Sequence, residues 1–184
     1  ALIIGASSGI GEAIALKLLK DGYTVYNGSR SPAHHERIIN ITVDVANEEA
    51  IRRALRIVWE AEHRIDALIY SAGFSMSAPL EDVDLSDVYY LFQVNLFGLL
   101  TFMKYLIPLC KIQGGGRIIA IGSLASVLPI PYDAYYSAAK AALNLLLLTQ
   151  AIELKRFKIL ITGVLPGGVK THFTFKRKEY WIDT

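Results

Sequence analysis

Residues 1–27 read ALIIGASSGIGEAIALKLLKDGYTVYN, and no other segment restricts the fold of this chain as tightly. A short apolar run, Ala1–Ile4, ends at Gly5. Helical spacing follows from about Ile10 to Lys20, where Ile10, Ala13, Ile14, Lys17 and Leu18 recur, and Gly22 stops it. Tyr23–Asn27 reads as a second strand. Two strands joined through a helix need a crossover, and crossovers join parallel strands.

The rest of the chain repeats this alternation. Ile38–Val43 reads as a third strand. Glu48–Glu62 reads as a helix, with apolar positions at Ile51, Ala54, Leu55, Val58 and Trp59. Ala67–Tyr70 is a fourth strand. Leu85–Gln113 reads as one or two helices, broken near Asn95 or Gly98 and disturbed at Pro108. After the Gly114–Gly116 turn come a fifth strand at Arg117–Ile121, a long helix at Tyr135–Phe157 and a sixth strand at Ile159–Leu165. Strands alternating with helices predict an α/β fold of at least six strands in a doubly wound parallel sheet, helices on both faces. Such sheets bind ligands beyond the carboxyl ends of their strands. The 184 residues suffice for one domain with a substantial core.

Composition narrows the partners. Apolar residues make up 53% of the chain, which favours strands buried on both faces or surfaces buried in an oligomer. The net charge is only +2, from 19 basic and 17 acidic residues, with no basic block interleaved with aromatics, so no nucleic-acid partner is expected. Lys176, Arg177 and Lys178 read as a solvated tail. The single cysteine, Cys110, cannot form an internal disulfide, and no Cys/His spacing predicts a metal site. His34 and His35 read as loop residues. A reducing cytoplasm fits, and no secretory signal opens the chain. Ala1 enters an apolar strand without a Met, which reads as a start inside a longer sequence. The most apolar window, Val94–Cys110, holds Asn95, Lys104 and Pro108 and falls short of a clean membrane span. A buried or oligomer-facing helix is expected there, and no membrane partner.

The first strand exits into GASSGIG, Gly5–Gly11. Three glycines here meet three needs: a tight turn, close approach of backbone to a diphosphate, and packing of the helix on the strand. The helix N-terminus then offers free N–H groups and a favourable dipole. Ser7 and Ser8 add hydroxyl donors. The spacing is neither G-x-G-x-x-G nor a Walker A loop. With DV (Asp44–Val45), SAG (Ser71–Gly73), VN (Val94–Asn95), GS (Gly122–Ser123), YSAAK (Tyr136–Lys140) and PGGVKT (Pro166–Thr171), in that order, the chain resembles the short-chain dehydrogenase/reductase family along nearly its whole length. The resemblance implies a Rossmann-like fold, in agreement with the alternation.

It also implies a nicotinamide cofactor. Gly5, Ser7, Ser8, Gly9, Ile10 and Gly11 would cradle its diphosphate. Ser29, 18 residues past Gly11, stands where NAD-preferring relatives carry Asp, and Arg30 follows. A guanidinium forms forked, charge-assisted bonds to phosphate, so NADP(H) is expected in preference to NAD(H). In the family, the Asp44 side chain contacts the adenine and Val45 lines its pocket. Ala72 and Gly73 bring backbone close to the cofactor. Pro166, Gly167 and the backbone of Val169 approach the nicotinamide, and Thr171 contacts its carboxamide. Two departures stand out. Tyr70-Ser71 replaces the family's usual Asn-Asn, and Ile4 a common Thr; those polar residues help tie the centre of the sheet in relatives.

Tyr136 and Lys140 lie four residues apart and share a helical face, whereas the i+4 partner of Tyr135 is Ala139. A free phenol, with a pKa of about 10, is a poor base at neutral pH. A nearby ammonium is expected to lower it. Ser123 precedes Tyr136 by 13 residues, the family's interval, and can hold a carbonyl oxygen while charge develops. Ser126, beyond it, reads as a loop or substrate-pocket residue. In relatives the Asn matching Asn95 breaks its helix locally and holds a water that links Lys to solvent. The resemblance thus implies a catalytic set of Asn95, Ser123, Tyr136 and Lys140, also with Tyr136 and Lys140 against the cofactor.

The expected function is an oxidoreductase that moves a hydride between NADP(H) and a carbonyl or secondary alcohol, with Tyr136 as general acid/base. The alternative is a non-catalytic NADP(H)-binding regulatory protein on the same fold. A Ser hydrolase lacks its His and acid. A sugar-nucleotide epimerase would carry G-x-x-G-x-x-G. Leu128, Ile130, Tyr132 and Phe173 are expected to line an apolar substrate pocket without specifying the substrate. Relatives continue past the Thr171 position into a lid and a seventh strand, so a single domain short of that strand and part of the lid is expected. Apolar residues on more than one face of Val94–Cys110 and Tyr135–Phe157 predict a homodimer or homotetramer.

Overall fold

The computed structural model describes residues 1–171 and 178–179. The elements are β1 (Leu2–Ile4), α1 (Gly9–Lys20), β2 (Val25–Ser29), β3 (Ile38–Thr42), α2 (Glu48–Glu62), β4 (Ala67–Tyr70), β5 (Met76–Ser77), α3 (Leu85–Phe92), α4 (Gly98–Gln113), β6 (Gly116–Ile121), α5 (Ala134–Leu154), β7 (Ile159–Val164) and β8 (Lys178–Glu179). Six strands form one sheet in the order β3-β2-β1-β4-β6-β7, and every neighbouring pair is parallel. This is the doubly wound Rossmann order, with the switch point between β1 and β4.

Side chains alternate across each strand. Leu2, Ile4, Leu68 and Tyr70 face a core closed by Ile51 and Leu55 of α2, Phe102 and Leu106 of α4, and Leu143 and Leu147 of α5. Ile3, Val25, Ile38 and Ile69 face the other way, onto Ala15 and Leu19 of α1. Burial on both faces explains why these strands are continuous apolar runs. The boundaries of α2 and β4 are those expected. The second strand begins and ends two residues later than Tyr23–Asn27, because Tyr23 and Thr24 belong to the turn leaving α1.

The long apolar stretch at Leu85–Gln113 is α3, a π-helical turn at Gln93–Phe97, then α4. The expected break thus falls at Asn95, immediately before Gly98, which opens α4, and α4 runs on through Pro108. By length and composition alone this run is apolar enough to cross a membrane; its buried residues pack on the sheet. A Cβ at Gly98 would lie 2.3 Å from the Tyr70 hydroxyl and 3.0 Å from Val45 Cβ. Only glycine lets the start of α4 sit this close to Tyr70 of β4.

The two departures at the sheet centre have local answers. The buried Tyr70 hydroxyl donates to the Val94 carbonyl at 2.6 Å, tying β4 to the π-turn. From β2, the Asn27 side chain accepts from Ala6 N–H at 3.0 Å and donates to Asn40 at 2.9 Å, tying the glycine turn to β3. Unforeseen in the sequence, β5 pairs in parallel with β8, Met76 against Lys178 and Ser77 against Glu179.

Candidate active site and cofactor cleft

A cleft of about 1320 Å³ opens at the carboxyl ends of the strands. Pockets for one small ligand run to roughly 300–1,000 Å³, so this one has room for a dinucleotide and a second molecule. Its walls include Gly5, Ser7, Ser8, Gly9, Ile10, Ser29, Arg30, Asp44, Val45, Ala72, Gly73, Ser123, Tyr136, Lys140, Pro166, Gly167, Val169 and Thr171. Residues spread over most of the chain are thus brought to one surface.

At the β1–β2 end the glycine turn does what its spacing predicts. Gly5 has φ +93 and would carry a Cβ 3.0 Å from Ala72 N, across the switch point. Gly9 has φ +63 and opens α1. A Cβ at Gly11 would lie 2.2 Å from the Gly5 carbonyl oxygen, so Gly11 serves helix packing rather than the cleft surface. The N-cap Ser8 makes no side-chain capping bond, which leaves the first-turn amides of α1 for an anion. This cradle fits a diphosphate. The Ser29 hydroxyl donates to the Ser31 carbonyl. Arg30 Nη1 donates to the hydroxyl of Tyr90, 3.1 Å away on α3. The Tyr90 ring packs 5.6 Å from that of Phe74. Asp44 Oδ1 accepts from Ala46 N–H at 2.9 Å.

At the β4–β6 end the side chains are buried. Lys140 donates to the Ile121 carbonyl at 3.0 Å, with its Nζ 5.7 Å from the Tyr136 ring centroid. Ser123, just beyond β6, is hydrogen-bonded to Tyr136 and also accepts from Ala125 N–H at 3.1 Å. Asn95 sits in the π-turn, behind Gly73 rather than on the cleft wall. Its Nδ2 donates to the carbonyls of Phe74 at 2.9 Å and Leu91 at 3.1 Å. Its buried Oδ1 has no hydrogen-bond partner among the described residues. A Cβ at Gly73 would lie 2.7 Å from that oxygen and 3.5 Å from Lys140 Nζ, so Gly73 keeps open the space between the amide and the ammonium.

One electrostatic expectation is reversed. The Tyr136 phenol lies above its ordinary pKa, first because burial disfavours the phenolate, while the Ser123 bond pulls it down and the Asp133 charge pushes it up. Burial also lowers the Lys140 ammonium to about 8. Helical spacing locates a cation beside a phenol, but the depth of both decides the sign.

One further expectation is corrected. Tyr132 does not line the cleft; it is exposed at φ 64. Tyr135 donates to the Leu80 carbonyl at 2.8 Å and packs behind the site. Ser126 donates to the Ser123 carbonyl at 2.7 Å and stays in its 3₁₀ turn, off the cleft wall. Leu128 and Ile130 do line the cleft. Phe173 lies outside the described residues. Sequence reasoning missed Tyr90, Phe74, Ser77 and Asp133. Of these only Asp133, a buried carboxylate three residues before Tyr136, left a trace in the sequence.

The sheet order and this cleft define the Rossmann class of α/β proteins. A family model described as short chain dehydrogenase matches residues 1–180, and the chain belongs to that family. It is 34% identical to a 3-ketodihydrosphingosine reductase of Bacteroides thetaiotaomicron, over 96% of this chain and 66% of the relative. It is also 34% identical to an NADPH-dependent 1-acyldihydroxyacetone phosphate reductase of Schizosaccharomyces pombe, over 95% of this chain and 61% of the relative. The chain therefore spans less than two thirds of either relative's length. The solved structure of ElxO with NADP bound superposes with a TM-score of 0.87 at 29% identity, covering 92% of this chain and 73% of that one.

Proposed function

We propose that this chain binds NADP(H) and interconverts a carbonyl and a secondary alcohol. The observation that carries the reading is the convergence of Ser123, Tyr136 and Lys140 on one buried wall of the cleft, with Asn95 Oδ1 behind Gly73. When bound, the nicotinamide supplies the hydride that reaches the carbonyl carbon. Tyr136, held protonated by burial, is in the state needed to donate a proton to the carbonyl oxygen. Ser123 hydrogen-bonds the same oxygen while charge develops. Lys140 holds the nicotinamide ribose and returns a proton to Tyr136. The open Asn95 oxygen is placed to accept from a water on the path to Lys140.

The preference for NADP(H) rests on Arg30 at the exit of β2 and on the absence of a carboxylate at Ser29. A relative named for NADPH and a neighbour solved with NADP support it. The test follows NADPH and NADH consumption against a panel of ketones and aldehydes. NADPH-dependent turnover is expected; tight NADPH binding with no turnover across the panel would sink the reading. We further propose self-association through α4 and α5, which expose Leu100, Ile112, Leu145, Leu148 and Ile152. Sedimentation that finds only monomer would count against it.

A further inference from the structure

The π-turn at Gln93–Phe97 carries Asn95, and the exit of β4 grips it at two successive residues. The Tyr70 hydroxyl donates to the Val94 carbonyl at 2.6 Å. Four residues further on, the Phe74 carbonyl accepts from Asn95 Nδ2 at 2.9 Å. Between these two contacts, Gly73 keeps open the space that separates Asn95 Oδ1 from the Lys140 ammonium.

The Val94 carbonyl needs the Tyr70 donor because of the turn it sits in. In an α-helix it would accept from the N–H four residues on, that of Gly98. Here the Gly98 N–H donates instead to the Gln93 carbonyl, five residues back. Val94 and Tyr70 are both buried, so water is a poor substitute, and a buried carbonyl without a donor is costly. Burial first, and then the charge of Asp44, hold the Tyr70 phenol far above its ordinary pKa, so it stays a donor at any working pH. Its ring is fixed edge-on against Phe102, with centroids 6.2 Å apart. Without the hydroxyl, the Val94 carbonyl regains a donor if the turn tightens to an α-helix and takes back the Gly98 N–H. That tightening turns Asn95 about the helix axis, away from Lys140.

We propose that Tyr70 is a positioning residue for catalysis: its hydroxyl holds the π-turn open and so keeps the Asn95 amide beside Lys140. This rests on the carbonyl-reduction reading above. Tyr70 is not on the cleft wall; it acts through Asn95.

The test follows reduction of a ketone by NADPH in the steady state. Tyr70→Phe removes only the hydroxyl. Its kcat, per NADPH site titrated, should fall about 10-fold, the worth of one buried hydrogen bond. The KM values for ketone and NADPH should stay within about twofold of the wild type, because the cradle and the Ser123–Tyr136 wall are untouched. In an Asn95→Ala background, itself slower than the wild type, Tyr70→Phe should cost nothing further. Tyr70→4-aminophenylalanine returns an N–H donor to the same place and should recover most of the loss. A folded Tyr70→Phe with wild-type kcat overturns the proposal. So does an equal loss in the Asn95→Ala background, which would mean that Tyr70 only supports the sheet. If Tyr70→Phe does not fold, two results still overturn it: wild-type kcat in Asn95→Ala, which leaves Tyr70 nothing to position, and a kcat about 10-fold low in a folded 4-aminophenylalanine variant. Failure of the wild type to reduce any ketone, with NADPH bound, defeats the carbonyl reading itself.

Discussion

At the β1–β2 end of the cleft, Arg30 and Tyr90 stand exposed on different elements and meet through one hydrogen bond of 3.1 Å. At the β4–β6 end, Tyr136, Lys140 and Asn95 are 7%, 4% and 0% exposed and are fixed by bonds to backbone or to Ser123. The open end works with backbone amides, a glycine turn and one solvated guanidinium, each weak and easily exchanged with water. The buried end holds its groups in a low dielectric, where each interaction is stronger and each unpaired charge more costly. Substitutions at the buried end should therefore move rates and stability by large steps. Those at the open end should move only cofactor choice.

The sharpest way to break this contrast is Tyr136→Phe. The ring and its packing against Met76, Leu91 and Ala139 stay, and only the hydroxyl goes. The ketone-dependent rate of NADPH oxidation should fall about 10³-fold, with NADPH binding retained. A near-normal rate would reduce the buried end to packing.

That Tyr136 and Lys140 share a face was legible because helical periodicity fixes it, and the glycine turn was legible because only glycine fits those backbone positions. The sheet could be read because strands buried on both faces leave continuous apolar runs. The rest depended on long-range register. Asn27 meets Asn40 because those residues are partners across β2 and β3, and neither announces the other in sequence. Arg30 and Tyr90 are separated by 60 positions. The two-residue strand β5 exists only through β8. The rise in the Tyr136 pKa needed the depth of burial, which a four-residue spacing does not contain.

Next in size is the stability cost of the buried ammonium. Lys140 falls from an ordinary 10.5 to about 8 in the folded chain. A depressed pKa contributes stability above pH 10.5 that is lost as pH falls through 8, so at pH 7 the free protein carries nearly the whole penalty, at most about 3 kcal/mol. Tyr136, raised above its ordinary value of 10, titrates above the window from 8 to 10. Lys140→Met keeps the apolar stem and removes the charge. Its Tm should exceed the wild type's by several degrees at pH 7, with the gap closing toward pH 10.5. A gap independent of pH would mean that shape rather than charge sets the difference. The same variant should lose activity, which separates the two roles.

At the open end, Arg30→Ala should lower the NADPH-to-NADH ratio of kcat/KM by about 10- to 100-fold, the worth of one or two charge-assisted bonds to a phosphate. Thermal stability should barely change, since the side chain is exposed. A ratio left unchanged would move the selectivity elsewhere in the cleft.

The smallest effect sharpens the comparison most. Tyr90→Phe keeps the ring against Phe74 and removes only the acceptor that holds Arg30 across the cleft. If Tyr90 places the guanidinium for a 2′-phosphate, the NADPH preference should drop by roughly two- to fivefold, a fraction of what a net hydrogen bond is worth because both partners are solvated. The drop should appear in KM rather than kcat, since nothing at the buried end moves. In an Arg30→Ala background Tyr90→Phe should do nothing further, because the tyrosine acts only through the arginine. An equal effect in both backgrounds would show that the hydroxyl touches the nucleotide itself, and an increase in NADPH preference would recast the Arg30–Tyr90 bond as a bar that the cofactor must open.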